Sequence, residues 1–446
     1  MNLPHIVASV TIALLMLYNR EFVKFRIGPF FALEWSLLLI VLTSLATQKR
    51  VLWIHSLGPL RPFLLFFAWG MIRLILEFFS PESDASVILS KETLQNCIFF
   101  VYPLIWCSAG FVLIEISTAW IRKTAFLALG LATVSHLFLP QTNPLNLPFF
   151  TLYPIVLGPL AIIPAIDQLV KISDKKGSIP LCAGLFVLAC LPFWKMWITY
   201  MQRTYLLELL GLMVLVPLAL REALRSRFQK ILAFGAPLLI LAAGFLAASA
   251  WKGSMDIDRG TVDPGQDFMT SFNHHDDVDR DTPGYFQART RRIMWTSAFE
   301  QWRSHPLAGI GMSTPVPKYI GQTCLTGRSP TDCDNTLIEN GYHKDQGVTK
   351  IIPPVTGPHN SWLGALARLG IVGLALLLWG CFSWTKRACR LVTLPTTPSM
   401  DKLVILAVPV CGFIYATLNV GFESPYNSFA LWFFAGMLFS DRMLDS

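Results

Sequence analysis

The sequence is short of charge. Asp, Glu, Lys and Arg together make up 14% of its 446 residues, against 53% hydrophobic residues, and no soluble core absorbs that much apolar surface. What remains is a membrane protein, because apolar runs of about 20 residues cross a bilayer as helices in which every backbone amide is satisfied within the segment. Acid is scarcer than base, 28 Asp and Glu against 36 Lys and Arg. The resulting formal charge of +8 fits basic loops between spans and calls for no nucleic-acid partner. A cleavable leader is not expected either: Met1 to His5 run straight into the first apolar stretch, without a basic head or a small-residue cleavage site, so that stretch is expected to stay as a helix. Ligand sets with metal-specific spacing are absent too.

Twelve apolar runs are present, near 5–19, 27–47, 62–79, 96–116, 120–140, 148–169, 178–199, 204–220, 230–250, 361–384, 402–420 and 425–440. They predict an all-α integral membrane fold in three parts: 1–250 with spans one to nine, a polar loop over 251–360, and 361–446 with spans ten to twelve. Lys and Arg concentrate at one set of connections, among them Lys49, Arg50, Arg122, Lys123, Lys175, Lys176, Arg225, Arg227, Lys386 and Arg387. That bias puts both termini in the cytoplasm and the long loop outside. Arg20, Lys24 and Arg26 pull the other way. Within the loop, Ile293, Met294, Ala298 and Trp302 stand at helical spacing and predict an amphipathic helix on or near the membrane, ending at Pro306.

Seven of the nine cysteines fall in or beside spans, where they read as small packing residues. Cys324 and Cys333 are the pair in the exported loop, and an oxidising compartment would let them close a short disulfide.

Three groups of residues could carry chemistry. His359 and Asn360 head the tenth apolar run, and a histidine there is either a cap or packing residue or a titratable base. Nearby arginines disfavour the imidazolium, which favours a neutral ring able to take a proton. Asn360 most simply caps the helix through its side chain. Arg203 stands between the seventh and eighth spans, on the side the charge bias leaves poor in base, with Tyr205 close by. It is either a headgroup anchor or a functional cation. Arg289, Arg291 and Arg292 precede Trp295, and for Arg289 a solvated basic face is the simpler reading. An acidic stretch from His274 to Asp281 could hold a cation, although such loop runs are usually just solvated. The ionisable residues inside spans, Glu34, Arg73, Glu77, Glu115, His136, Glu208 and Arg368, are costly unless paired or facing a cavity, and a carboxylate partner is expected for Arg368.

Spacing ties these groups together. His359-Asn360 is followed after nine residues by Gly370 and then Gly373, which reads as a small-residue face entering the bilayer. Arg291-x-x-x-Trp295 is followed by HPLAGIG over 305–311, and Arg203-x-x-x-Leu207 stands upstream. In this order the blocks resemble the O-antigen ligase and polymerase superfamily, over about 200–380. The resemblance implies a GT-C-like polytopic glycosyltransferase of the bacterial inner membrane, with its site facing the periplasm and no cofactor or metal. It implies an undecaprenyl-diphosphate-linked O-antigen donor, with His359 as base and Arg203, Arg291 and Arg292 on the diphosphate. Asn360, Tyr205 and Trp295 would support them. Lipid A-core is the acceptor implied for a ligase, a second carrier-linked unit for a polymerase, and a protein hydroxyl for an oligosaccharyltransferase. Span count and loop position look most like the ligase. A transporter of the same lipid carrier would need a charged path across the midplane, whereas these candidates cluster on one face.

Overall fold

The computed structural model describes residues 25–27, 30–47, 52–80, 96–113, 176–184, 298–313, 360–394, 399–418, 421–422 and 425–440. It also describes single positions among 3–14, at 93, among 163–172, at 235, 295, 296 and 443. The described part is helical apart from one antiparallel pair of two-residue strands, β1 (Arg26–Ile27) and β2 (Phe30–Phe31), in register Arg26 to Phe31 and Ile27 to Phe30. Six helices follow: α1 (Ala32–Thr47), α2 (Leu52–Phe78), α3 (Ile98–Leu113), α4 (Ser361–Thr393), α5 (Met400–Leu418) and α6 (Pro425–Met437).

Several boundaries differ from the hydropathy reading. The run expected at 27–47 spends its first residues in the strand pair, and α1 begins only at Ala32, whose amide donates to the Phe25 carbonyl at 2.8 Å. The run expected at 62–79 starts ten residues earlier, at Leu52, because Pro59 and Pro62 sit within the helix rather than ahead of it. The tenth run continues through Arg390 to Thr393. Of its basic residues, Arg387 donates to the Phe439 carbonyl at 2.6 Å and lies over that residue's ring. The runs at 120–140 and 204–220 lie outside the described residues, and those at 5–19, 148–169, 178–199 and 230–250 are described only in part.

Close backbone approach holds the helices together. A Cβ on Gly110 of α3 would fall on the Phe433 carbonyl of α6, and one on Gly436 of α6 would fall on the Cys107 carbonyl of α3. Small residues at both crossing points are the usual means of packing helices in lipid, where no hydrophobic drive separates helix from solvent. Cys107 is thus the packing residue its position predicts, fully buried. An aromatic core joins the remaining helices: Trp432 meets Phe63, Phe413 and Phe422 at ring separations of 5.4, 5.7 and 5.2 Å.

The outward faces are apolar as well. Leu65, Ile72, Ile75 and Leu76 of α2, with Ile371, Leu378, Trp379 and Phe382 of α4, are exposed. In water such stripes would be a liability; on a membrane protein they are the lipid-facing surface. Gly58–Phe78 and Ser361–Thr393 are each long and apolar enough to cross a bilayer.

Candidate active site

Helix α4 is two helices. At Gly370 the backbone turns to φ 68°, ψ −171°, a region open essentially to glycine alone. A break in a helix strands carbonyls before it and amides after it, and in lipid each such group is costly unless protein satisfies it. Here the segment around the HPLAGIG block does so. The amides of Ile310 and Gly311 donate to the carbonyls of Ala367 and Arg368, at 2.9 and 3.0 Å. In return the amides of Ile371 and Val372 donate to the carbonyls of Pro306 and Leu307, at 2.9 and 3.4 Å. The Leu369 carbonyl accepts from Trp69 Nε1 of α2 at 2.9 Å.

The glycines of both motifs are explained by this contact. Gly309 and Gly311 also have positive φ, 72° and 94°. A Cβ on Gly370 would overlap the Leu307 carbonyl, and one on Gly309 would overlap the Arg368 carbonyl. Gly370 is therefore a joint, not part of a uniform packing face. From Ile371 to Thr393 the second piece alone is roughly 34 Å long at 1.5 Å per residue, enough to cross the hydrocarbon. The first piece, from Ser361 to Leu369, is free for another task.

A polar clamp holds the block in place. Trp69, Arg73 and Glu77 stand four residues apart along one face of α2. Arg73 donates to the Gly309 carbonyl at 3.0 Å. Glu77 accepts from the amides of Met312 and Ser313, at 2.7 and 2.9 Å, and from the Ser313 hydroxyl at 2.8 Å. The Met312 carbonyl accepts from Asn96 Nδ2 at 2.7 Å and from Arg368 at 3.3 Å. The buried Arg368 and the carboxylate of Glu77 thus grip the same residue from its carbonyl and its amide sides.

Upstream of the block, residues 298–304 are helical. The helix ends at His305 and Pro306, where Trp302 Nε1 donates to the Pro306 carbonyl at 3.0 Å. Its buried face packs on protein. Ala298 forms a small buried cluster with Ala367, and Ile310 and Leu363 pack against them. Phe299 and Leu307 point outward.

The head of α4 is equally fixed. Asn360 is extended, and its side-chain oxygen accepts from the Leu363 amide at 3.0 Å, the N-cap expected of it. The buried Ser361 hydroxyl accepts from the amides of Gly421 and Phe422, at 2.8 and 3.0 Å, which ties the helix start to the α5–α6 connection. Trp362 packs edge-on against Phe422 at 4.8 Å.

Of the candidate catalytic, diphosphate-binding and supporting residues, Asn360 and Trp295 are described, the latter half-buried in a helical turn. His359, Arg203, Tyr205, Arg291, Arg292, Cys324 and Cys333 lie outside the described residues, as does the acidic stretch 274–281. Sequence reasoning missed the roles of Trp69, Asn96 and Ser361. Arg73 and Glu77 gave the one available signal, two ionisable groups at i and i+4 inside an apolar run.

Comparison with known families places these features in context. A family model described as O-antigen ligase matches residues 186–378, while a search of curated proteins gives no match. The matched stretch contains the HPLAGIG block, the Gly370 break, the head of α4 and the candidate histidine and arginines, and leaves the clamp on α2 and Asn96 outside. The chain is a membrane protein whose residues 186–378 are similar to the O-antigen ligase family.

Proposed function

We propose that the protein is an O-antigen ligase: it transfers O-antigen glycan from undecaprenyl diphosphate to a sugar hydroxyl of lipid A-core, at the periplasmic face of the inner membrane. The observation that carries this reading is the family match over 186–378. The architecture supports it. The helix 298–304, which follows Arg291 and Arg292 in sequence, docks through Ala298 onto the half-helix that begins two residues after His359. This contact supports a reading in which both stretches serve one site.

In the proposed reaction the acceptor hydroxyl attacks the anomeric carbon as its proton passes to His359. The bond from that carbon to the phosphate oxygen breaks, the diphosphate leaves with the electron pair, and the anomeric configuration inverts. Arg203 and Arg291, with Arg292, bind the diphosphate and stabilise the charge that builds on it. A guanidinium suits that role because its planar fork makes bidentate, charge-assisted bonds and stays charged at any working pH. Arginines supply the electrostatic stabilisation that a cation supplies in other transferases, so the transfer is metal-independent. Diphosphate is already a good leaving group, which leaves alignment and deprotonation as the main tasks of the protein.

The test is transfer by purified protein in detergent, given carrier-linked glycan and, in separate arms, lipid A-core or a second carrier-linked unit. Product on lipid A-core, undiminished by excess chelator, is expected. Product only on the second unit would make the protein a polymerase. His359→Ala should abolish product with donor binding retained, and wild-type-like transfer by that variant would sink the base assignment. Arg291→Lys should lower the rate, since a point charge does not reproduce the fork.

A further inference from the structure

Glu77 makes three hydrogen bonds to a segment more than two hundred residues away in sequence, and it lies outside the stretch that matches the family. Its carboxylate anchors the backbone of the 309–313 stretch. Oε1 takes the Met312 amide, and Oε2 takes both the Ser313 amide and the Ser313 hydroxyl. The fit is close enough that a Cβ on Gly311 would fall on the carboxylate itself. One turn earlier, Arg73 holds the Gly309 carbonyl, and one turn before that Trp69 holds the Leu369 carbonyl at the break. A single face of α2 therefore fixes both sides of the joint: the 305–313 block and the half-helix it docks on.

We propose that Glu77 is a positioning residue of the transfer reaction, acting through the 305–313 block to hold the helix 298–304 and the first half of α4, Ser361–Leu369, in one register. This rests on the ligase reading, and on no contact between Glu77 and substrate. Glutamate is required because the site offers donors only. An amide at this position presents one oxygen, and its NH2 group would face either the Met312 amide or the Ser313 amide, so at least one backbone N–H loses its acceptor whichever way it turns. The block would then shift on the joint. Shifts of about 1 Å in a positioned group cost on the order of 100-fold in rate.

The experiment measures donor and acceptor kinetics with the purified full chain, alongside thermal unfolding in the same detergent. For Glu77→Gln, kcat per folded enzyme should fall roughly 10- to 100-fold with the donor KM little changed, because the lost interaction aligns the reacting groups rather than binding the carrier. Ser313→Ala, which removes one of the three bonds, should lower kcat by a smaller factor. The double variant should lose less than the product of the two single effects, since both act on one network. A folded Glu77→Gln with wild-type kcat overturns the proposal, as does a loss that tracks only the folded fraction. If Glu77→Gln does not accumulate, Ser313→Ala decides alone, and an unchanged kcat in it overturns the proposal. Failure of the ligase reading looks different: the wild-type protein then forms no product on lipid A-core. Should wild type form product only on a second carrier-linked unit, the same kinetics are measured on that acceptor.

Discussion

Replacing Gly370 by alanine tests the joint directly, because the variant must choose between two losses. If the break is kept, alanine has to adopt φ 68°, ψ −171°, a conformation that costs about 1–3 kcal/mol for a residue with a side chain. Its Cβ also overlaps the Leu307 carbonyl, so the 305–313 block must move away. If instead the helix straightens, alanine gains about 1 kcal/mol over glycine in a helix interior, and the stranded groups of α4 find partners within the helix. The groups that had docked on them do not. The amides of Ile310 and Gly311 and the indole of Trp69 would lose their acceptors, at about 1 kcal/mol or more each. Straightening therefore comes to a net cost of about 2 kcal/mol, and keeping the break costs at least as much once the clash is included.

A loss of this size lowers the apparent Tm by about 2 °C, at roughly 1 °C per kcal/mol for a chain of this length. It also displaces the helix 298–304 and the 305–313 block from the first half of α4. Thermal unfolding in detergent and transfer kinetics on the same preparation read both effects. Gly184→Ala is the control, since a Cβ there meets nothing within 4 Å. A Gly370→Ala protein with a Tm within about 1 °C of wild type and an undiminished kcat would refute the reasoning, because it would mean the joint carries neither stability nor alignment.

Two further substitutions probe the head of α4, both read by the same thermal assay. Asn360→Ala removes the N-cap and should cost about 1 kcal/mol, whereas Asn360→Asp keeps an acceptor for the Leu363 amide and should unfold close to wild type; equal loss in both variants would contradict the capping role. Ser361→Ala leaves the buried amides of Gly421 and Phe422 without their shared acceptor, at about 1–3 kcal/mol for each unsatisfied group. It should therefore destabilise more than Asn360→Ala, and the reverse order would argue that the α5–α6 connection does not anchor the helix start.

Much of the fold was legible because lipid imposes one rule: long apolar runs become helices. The positions of α3, α5 and α6 follow the hydropathy pattern to within a few residues. The start of α2 was missed because His55, Arg61 and two prolines dilute the signal. Asn360 could be read as a cap from its type and place alone. Gly370 could not be read as a break, because a glycine in an apolar run fits a packing face equally well, and the deciding partners lie about 60 residues upstream and on α2. The motif letters located the contact without revealing that it is made by backbone. Glu77 and Arg73 could be flagged as costly, yet no spacing rule connects them with Gly309 or Met312.

The way the joint is built bears on what the HPLAGIG block does. Pro306 and Leu307 contribute carbonyls, Ile310 and Gly311 contribute amides, and Gly309 and Gly311 contribute the absence of a side chain. Leu307 itself points outward, 68% exposed, so its position in the motif reflects what its backbone does. A docking made of main-chain bonds fixes translation along α4 as a strand ladder fixes register, since a slip by one residue would unpair every bond at once. Side-chain packing alone has no such quantised register. Irregular backbone at membrane depth survives only where protein satisfies it, and here the 305–313 segment and one face of α2 do so together. A half-helix on a registered joint holds its place better than a loop would, and small errors in the placement of a reacting group carry large penalties in rate.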